Sequence, residues 1–272
     1  MATKFRPVHS PSTFRRVAAA MWRRPNNPSI YGSLDLDASA ALAFLPEYGR
    51  RHDVKVTMSH LVARAVAVAI ARHPEVNAKV RFWGKIEERE SVDLVLQVAT
   101  EGGRDLSTAR LDRADEKSLA DIAREIRRQA EKIRAGQDEN LGKSRDLFQR
   151  LPWWLARHAV GLSDFLVNEL HLDLASQGMP RDAFGSAMIT NVGMFGIDTG
   201  FAPLVPIARC PMVVLVPEVR ERPWVEAGAV VSRPVLRLCA TFDHRIIDGV
   251  QAGQLSRELS QLMANPETLA GD

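Results

Sequence analysis

The chain has 272 residues, of which 46% are hydrophobic, so it can bury a sizeable core as one large domain or two small ones. Its 36 basic and 33 acidic residues are interleaved and leave a net charge of only +3, which gives no basis for nucleic-acid binding. No apolar run reaches the roughly 20 residues that span a bilayer, and the N-terminus lacks the apolar segment of a signal peptide, so we expect a cytoplasmic protein without a membrane span.

The sequence of residues 10–73 predicts one strand and three helices. Residues 10–13 are turn-like and can cap a helix that carries Phe14 and Met21 on one face. His60 and His73 belong to the last of these helices; neither has a ligand partner at i+4, and we interpret both as surface or capping residues. After the first helix, apolar spacing predicts a strand, a helix and a second apolar helix in Ser29–Leu36, Ala38–Arg51 and Thr57–His73.

The middle of the chain predicts a pair of strands and a charged helix. Val92–Thr100 is an apolar strand, Glu101–Gly103 marks a turn, and Leu106–Leu111 is the expected partner strand. Ala114–Ala135 is strongly charged with apolar residues at helical spacing, which is typical of a solvated surface helix. Gly136–Lys143 is the most linker-like piece, although it is too short to establish a domain boundary.

The segment Leu151–Leu172 differs from its surroundings. It pairs Trp153 with Trp154, and its amphipathic pattern is interrupted by Gly161. Such a segment can cover a core, line a pocket or touch a membrane surface, and covering a core is the commonest of these roles. Acidic residues on its polar face argue against binding to anionic lipid.

Strand patterns dominate after Gly185, with a hairpin turn at Glu226–Gly228. Cys210 and Cys239 both lie in apolar, strand-like surroundings and are expected to be buried, reduced thiols. The helices come early and the strands of the C-terminal sheet are sequence neighbours. This order predicts a single α+β domain over residues 1–272.

The stretch with the most chemical content begins at Pro234. Val235–Phe242 is mostly apolar and predicts a buried strand, and Asp243–Arg245 follow where that strand ends. Asp248 and Gly249 predict a turn, in which the glycine lets the backbone reverse. The helix that follows, 250–263, has an apolar face formed by Val250, Leu255, Leu259 and Leu262.

A histidine that is held by a strand and presented on a loop is well placed for chemistry. A lone histidine is more often a structural one, but the packed order D-H-R-x-x-D-G favours His244 as a catalytic base. A metal site formed by Asp243, His244 and Asp248 is an alternative, for which the sequence offers no clear fourth ligand. A second stretch, residues 185–193, contributes further polar side chains, namely the Ser186 and Thr190 hydroxyls and the Asn191 amide.

Together these stretches resemble the catalytic domain of the dihydrolipoamide acyltransferases of 2-oxo acid dehydrogenase complexes. Asp243–Gly249 fits the family pattern D-H-R-x-x-[DN]-G, and Ile189–Gly196 resembles its [ST]-N-x-G-x-x-G segment. Pro203–Val216 resembles the proline-containing strand that follows. The resemblance implies a chloramphenicol acetyltransferase-like α+β fold, a mixed central sheet with helices packed on it. Residues 137–180, including Trp153 and Trp154, look like a divergent insertion, and 1–13 like an N-terminal arm.

The resemblance also implies a reaction in which an acyl group moves between the thiols of coenzyme A and a dihydrolipoyl or other acceptor, without a metal. His244 is then the general base, Thr190 the donor to the oxyanion, and Asp248 holds the loop or the histidine, together with Arg245. Asn191, Ser186 and Gly249 are supporting residues. A catalytically silent trimeric scaffold of the same fold is the rival interpretation.

In this family the active site lies between the subunits of a trimer, so His244 and Thr190 are expected to come from different chains. A lipoyl group would come only from a partner, since the chain begins directly at the catalytic core. Larger cages in the family use an apolar C-terminal tail. Here the tail has one large apolar residue, Leu269, so we expect the trimer to dominate over a cage.

Overall fold

The computed structural model describes residues 28–81, 84–99, 106–135, 153–172, 174 and 182–271. The expected helix near residues 14–21 and the linker-like residues 136–143 lie outside these ranges, as do the side chains of Trp153 and Trp154.

The strands in chain order are β1 Ser29–Asp37, β2 Ala78–Val80, β3 Ile86–Glu88, β4 Leu94–Ala99, β5 Leu106–Leu111, β6 Ala187–Asn191, β7 Met212–Val216, β8 Arg220–Glu226 and β9 Ala229–Asp243. The helices are α1 Ser39–Arg51, α2 Met58–Arg72, α3 Leu119–Arg134, α4 Trp153–Asp164, which continues as a π-helix over Phe165–Glu169, and α5 Gly249–Ala264. The predicted strands and helices within the described ranges are therefore confirmed, with ends that move by at most six residues.

The main sheet is mixed, with strand order β1-β9-β7-β6-β4-β5, and β8 pairs with the N-terminal half of β9. β9 is antiparallel to both β1 and β7, whereas β6 runs parallel to β7 and to β4. The hairpin predicted at Glu226–Gly228 joins β8 to β9. The α+β fold class with a mixed sheet is thus confirmed.

The main core lies between one face of the sheet and helices α1, α2, α3 and α5. Alternate residues of β1, β4, β6, β7 and β9 point into it, among them Leu36 of β1, Val214 of β7 and Leu236 of β9. The opposite face of the central strands packs against the chain between β6 and β7 in a smaller cluster that includes Cys210 and Cys239. Both cysteines are buried and free, as predicted.

Local capping explains where two of these helices begin. Thr57 and His60 form a capping box at the start of α2, in which His60 Nδ1 accepts the Thr57 N–H at 3.2 Å. The capping role expected for His60 is confirmed. In α5, Leu255 and Leu262 are buried and Leu259 packs against the core, but Val250 is 63% exposed, so its predicted place on the apolar face is wrong. Val250 lies in the first turn of the helix.

Candidate active site

The turn that follows β9 fixes His244 through its own backbone and that of its neighbours. The N–H of Asp243 donates to the carbonyl of Pro211 at 2.8 Å, and the N–H of His244 donates to the carbonyl of Pro28 at 2.8 Å. The N–H of Ile247 donates back to the Asp243 carbonyl at 2.9 Å, which closes the turn. His244 is therefore held between the starts of the two strands that flank β9.

The imidazole of His244 has a defined tautomer. Its Nδ1 lies 3.2 Å from the carbonyl oxygen of Ile247. A carbonyl oxygen can only accept, so Nδ1 carries the proton and Nε2 of the neutral ring has a free lone pair. Ile247 is fully buried, which anchors the acceptor, while His244 itself is exposed. The ring is thus arranged to take up a proton at Nε2 from the solvent side.

Asp243 and Arg245 bracket the histidine and bind each other. Asp243 is 5% exposed, and its carboxylate accepts the Arg245 N–H at 3.0 Å, its Nε–H at 2.9 Å and an Nη2–H at 2.6 Å. This hydrogen bonding is the main cause of the raised pKa of Arg245. Arg245, which was expected to act together with Asp248, thus pairs with Asp243, two residues away on the same turn.

Asp248 holds the loop as expected, but it does so by capping a helix. Its carboxylate accepts the Val250 N–H at 2.7 Å, and Gln251 completes a capping box at the start of α5. Gly249 is the first residue of that helix, and a Cβ there would meet no atom within 4 Å. The prediction that Gly249 lets the backbone reverse is wrong, because the hydrogen bonds of the turn before it bring the chain round.

Thr190 and Asn191 end strand β6. Thr190 is half-buried, and the Asn191 side chain points towards the helical layer, where its Nδ2–H donates to Ser59 Oγ of α2 at 2.8 Å. Its Oδ1 accepts the Met194 N–H at 3.3 Å. The next turn is tight, since a Cβ on Gly193 would come within 2.6 Å of the Glu218 nitrogen. Asn191 therefore fixes the chain just beyond Thr190.

The sheet register separates Thr190 from His244 within one chain. Thr190 pairs with Leu215 of β7, and Leu215 pairs with Cys239 of β9. His244 lies five residues after Cys239, just past the end of β9, which at about 3.3 Å per residue is roughly 16 Å along the strand direction. The two residues lie towards opposite ends of the sheet, so one chain does not bring them together.

Ser186 lies at the other end of β6 from Asn191. It is fully buried; its Oγ accepts the Asp93 N–H at 3.1 Å and donates to the Ser91 carbonyl at 3.4 Å. These bonds tie the start of β6 to the start of β4. Ser186 thus supports the sheet and lies apart from Thr190 and Asn191.

In the described parts of the chain, no three His, Cys, Asp or Glu side chains are grouped as metal ligands would be. The same parts contain no helix with the length and apolarity that a bilayer crossing requires. The contacts of Asp243 and Asp248 go to Arg245 and to a helix N-terminus, respectively. Neither carboxylate is directed at a site shared with His244.

Sequence reasoning missed the partners that orient these residues. The carbonyl acceptors of Pro28, Pro211 and Ile247 carry no side-chain signal, because any residue offers the same oxygen. Ser59 could have been suspected only from the strand order, which places the end of β6 beside the start of α2.

The fold and the site define an α+β protein with a mixed sheet, the helices α1, α2, α3 and α5 on one face and an oriented histidine at the end of a central strand. The family described as 2-oxoacid dehydrogenases acyltransferase (catalytic domain) matches residues 6–140 and 179–270. The chain belongs to this family.

Two curated relatives match most of the chain. It is 26% identical over 261 residues to the dihydrolipoyllysine-residue acetyltransferase component of the pyruvate dehydrogenase complex of Zymomonas mobilis, with 94% of this chain and 49% of the relative covered. It is 24% identical to the succinyltransferase component of the 2-oxoglutarate dehydrogenase complex of Haemophilus influenzae, with 94% and 53% covered. The chain thus spans about half the length of these relatives.

Solved structures share the fold. A probable dihydrolipoamide acetyltransferase of Listeria monocytogenes superposes with a TM-score of 0.66 at 21% identity, covering 98% of this chain and 96% of that one. The cubic core of a pyruvate dehydrogenase multienzyme complex gives 0.66 at 20% identity, with 98% and 99% covered. The dihydrolipoamide acetyltransferase of Azotobacter vinelandii gives 0.65 at 19% identity, with 98% and 99% covered.

Proposed function

We propose that the chain is an acyltransferase that moves an acyl group between the thiol of coenzyme A and a second thiol, with His244 as general base. The observation that carries the proposal is the hydrogen bond from His244 Nδ1–H to the Ile247 carbonyl. It leaves an exposed Nε2 lone pair on a ring whose backbone is fixed on both sides. A scaffold protein has no need of an imidazole held in one tautomer.

The chemistry follows from the thiols. A thiol with a pKa near 8.5 is mostly protonated at neutral pH, and an imidazole with an ordinary pKa near 6.5 can accept its proton. The acceptor's thiolate attacks the carbonyl carbon of the acyl thioester, and the carbonyl oxygen becomes an oxyanion. When the tetrahedral intermediate collapses, the C–S bond to coenzyme A breaks and the proton on Nε2 passes to the departing thiolate. The net reaction exchanges one thioester for another.

The oxyanion needs a donor, and Thr190 is our candidate. Removing one such donor costs roughly 3 kcal/mol of transition-state stabilisation in other enzymes. Because Thr190 and His244 lie at opposite ends of the sheet in one chain, we assign the donor to a neighbouring copy. The A. vinelandii protein has been studied for the roles of a serine, a histidine and an asparagine in its mechanism, the last two four positions apart. His244 and Asp248 have the same spacing.

An exposed apolar patch formed by the chain after β6 and by Tyr31 of β1 supports this assembly. Met194, Phe195 and Phe201 follow β6 and are 66%, 60% and 43% exposed, and Tyr31 of β1 stacks edge-on against Phe201. Exposed apolar side chains grouped in this way mark protein interfaces. We propose that a second copy covers the patch in a homotrimer and brings its own His244 turn to this Thr190.

The acceptor is proposed by analogy with the relatives, whose names specify a dihydrolipoyllysine residue. The thiols would then be those of coenzyme A and of a dihydrolipoyl group carried by a partner domain, in the cytoplasm. Mixing the purified chain with an acyl-CoA and dihydrolipoamide, and following thioester exchange, tests the function. Exchange above the uncatalysed rate is expected with at least one acyl-CoA. If no acyl-CoA of any length and none of the acceptor thiols supports exchange, the chain is the silent scaffold instead.

A further inference from the structure

The segment 153–172 carries an ion-pair network that the acyl-transfer chemistry has not explained. The family match leaves 141–178 unmatched. Within it, α4 runs into a π-helix, in which the Leu170 N–H donates to the Phe165 carbonyl at 3.2 Å. In an α-helix, residues five apart point about 140° away from each other. The wider π-helical turn instead brings such residues, here Asp164 and Glu169, to one side.

Arg209 receives both carboxylates. Its Nε–H and Nη2–H donate to the two Asp164 oxygens at 3.2 and 2.8 Å, and an Nη1–H donates to Glu169. A second arginine, Arg81, binds the other oxygen of Glu169 at 3.1 Å and Glu87 at 2.6 Å. The Arg209 and Glu169 side chains are only 11% and 8% exposed. The pKa of Arg209 is raised although its burial opposes the charge, because hydrogen bonds to Asp164 and Glu169 outweigh that cost.

Arg209 stands next to the turn that carries His244. It lies two residues before Pro211, whose carbonyl accepts the Asp243 N–H at 2.8 Å. Its backbone has a φ of 47°, an unfavourable value for a residue with a side chain, and its carbonyl accepts an Nη2–H of Arg89 at 3.2 Å. The pKa of Arg245 is raised, chiefly by hydrogen bonding to Asp243. Burial and the charge of Arg209 oppose this rise in part, so the charge of Arg209 also acts on Arg245.

We propose that Arg209, clamped by Asp164 and Glu169, is a positioning residue for the His244 turn. The unmatched segment then acts on acyl transfer without touching the reacting atoms. The segment holds the strained backbone of Arg209 in place. Arg209 then fixes the position of Pro211, and the Pro211 carbonyl fixes the N–H of Asp243 beside the histidine. Active-site groups need support of this kind because small losses of alignment cost rate. The inference rests on the proposed function of His244.

The test uses the full chain with Asp164→Asn, which keeps the shape of the side chain and removes its charge. Asp164 is 25% exposed, so the variant is expected to fold. We expect kcat for acyl transfer to fall about tenfold, with both KM values within about twofold of wild type. Asp164→Glu restores the charge and should recover part of the loss. The matched control is Glu87→Gln, which removes a charge partner of Arg81 in the same network but does not contact Arg209; it should keep wild-type kcat.

A second measurement does not depend on turnover. In the NMR spectrum of the chain with isotope-labelled histidines, the signals of the His244 imidazole are those that disappear in the His244→Gln variant. We expect these signals to shift in Asp164→Asn but not in Glu87→Gln. Equal kcat and equal imidazole signals for the two variants would overturn the proposal, as would a change confined to KM. If the wild-type chain transfers no acyl group, the proposed function fails, and the imidazole signals alone decide whether Arg209 positions His244.

Discussion

His244 donates its Nδ1–H to the carbonyl oxygen of Ile247, three residues along the same turn, at 3.2 Å. Ile247 is fully buried, so the position of its carbonyl oxygen is fixed. The bond therefore selects the imidazole tautomer whose Nε2 faces solvent with a free lone pair. A contact between a side chain and a backbone oxygen thus prepares the ring for proton transfer before any substrate binds.

Loss of this imidazole should remove most of the activity. We expect His244→Ala to lower kcat by about 10²-fold or more, because no other group would accept the thiol proton. Thioester exchange with acyl-CoA measures it, and circular dichroism should show an unchanged fold, since His244 is exposed. His73→Ala, which changes a partly exposed histidine beside Glu75, is the control and should retain full activity. Wild-type kcat in His244→Ala would refute the assignment of the base.

Removal of the Thr190 hydroxyl should act on the transition state. We expect Thr190→Ala to lower kcat by about 10²-fold with little change in KM, because the donor serves an oxyanion that the substrate does not yet carry. Thr190→Ser keeps a hydroxyl and should recover much of the rate. Steady-state kinetics of the two variants separate the effects. A change in KM alone would make Thr190 a substrate-binding residue.

Two inactive variants should restore each other if the site is shared. In any cyclic trimer that contains both His244→Ala and Thr190→Ala chains, about a third of the interfaces combine an intact histidine with an intact threonine. Co-expression with two affinity tags yields such mixed trimers, whose activity is compared with that of each variant alone. About a third of wild-type activity is expected. Mixed trimers as inactive as the separate variants would place both residues in one chain's site.

The assembly should stop at the trimer. Leu269 is fully buried in its own chain, and the Ala270 carbonyl accepts the Leu119 N–H at 3.0 Å, so the last helical turn is already used in the fold. It is not free to enter a neighbouring trimer. Mass photometry should show a species of about three times 30.2 kDa. A dominant particle of 24 or 60 subunits would show that another surface makes cage contacts.

Acid should destabilise the chain through His60. Burial lowers the pKa of His60 to about 4, whereas an unfolded imidazole titrates near 6.5. The unfolded chain therefore binds the proton more readily than the folded chain. The neutral His60 contributes up to roughly 3 kcal/mol to the free energy of unfolding. This contribution is complete above pH 6.5 and is lost as the pH falls from 6.5 through about 4. His60→Gln can keep the capping box and cannot titrate. Its free energy of unfolding should fall less than that of wild type between pH 7 and 4, and identical pH dependence would contradict this prediction.

Local sequence determined much of this protein. The alternating apolar strands, the capping pair Thr57 and His60, and the buried strand that delivers Asp243 and His244 were all predictable. Such features depend on residues within a turn or two of each other, so periodicity and capping chemistry are sufficient to identify them. The class of candidate site followed from the same short stretch.

Only the tertiary structure decided which groups meet. The order of strands, set by packing across the whole sheet, places Thr190 and His244 at opposite ends, although both were correctly placed at strand ends. Arg245 pairs with Asp243 and Asp248 caps a helix, because neighbouring backbone geometry offers each a closer partner. The pairing of Arg209 with Asp164 and Glu169 depends on a π-helical turn and on residues 40 or more positions apart. Contacts between distant segments are formed by the folded backbone, and no local pattern encodes them.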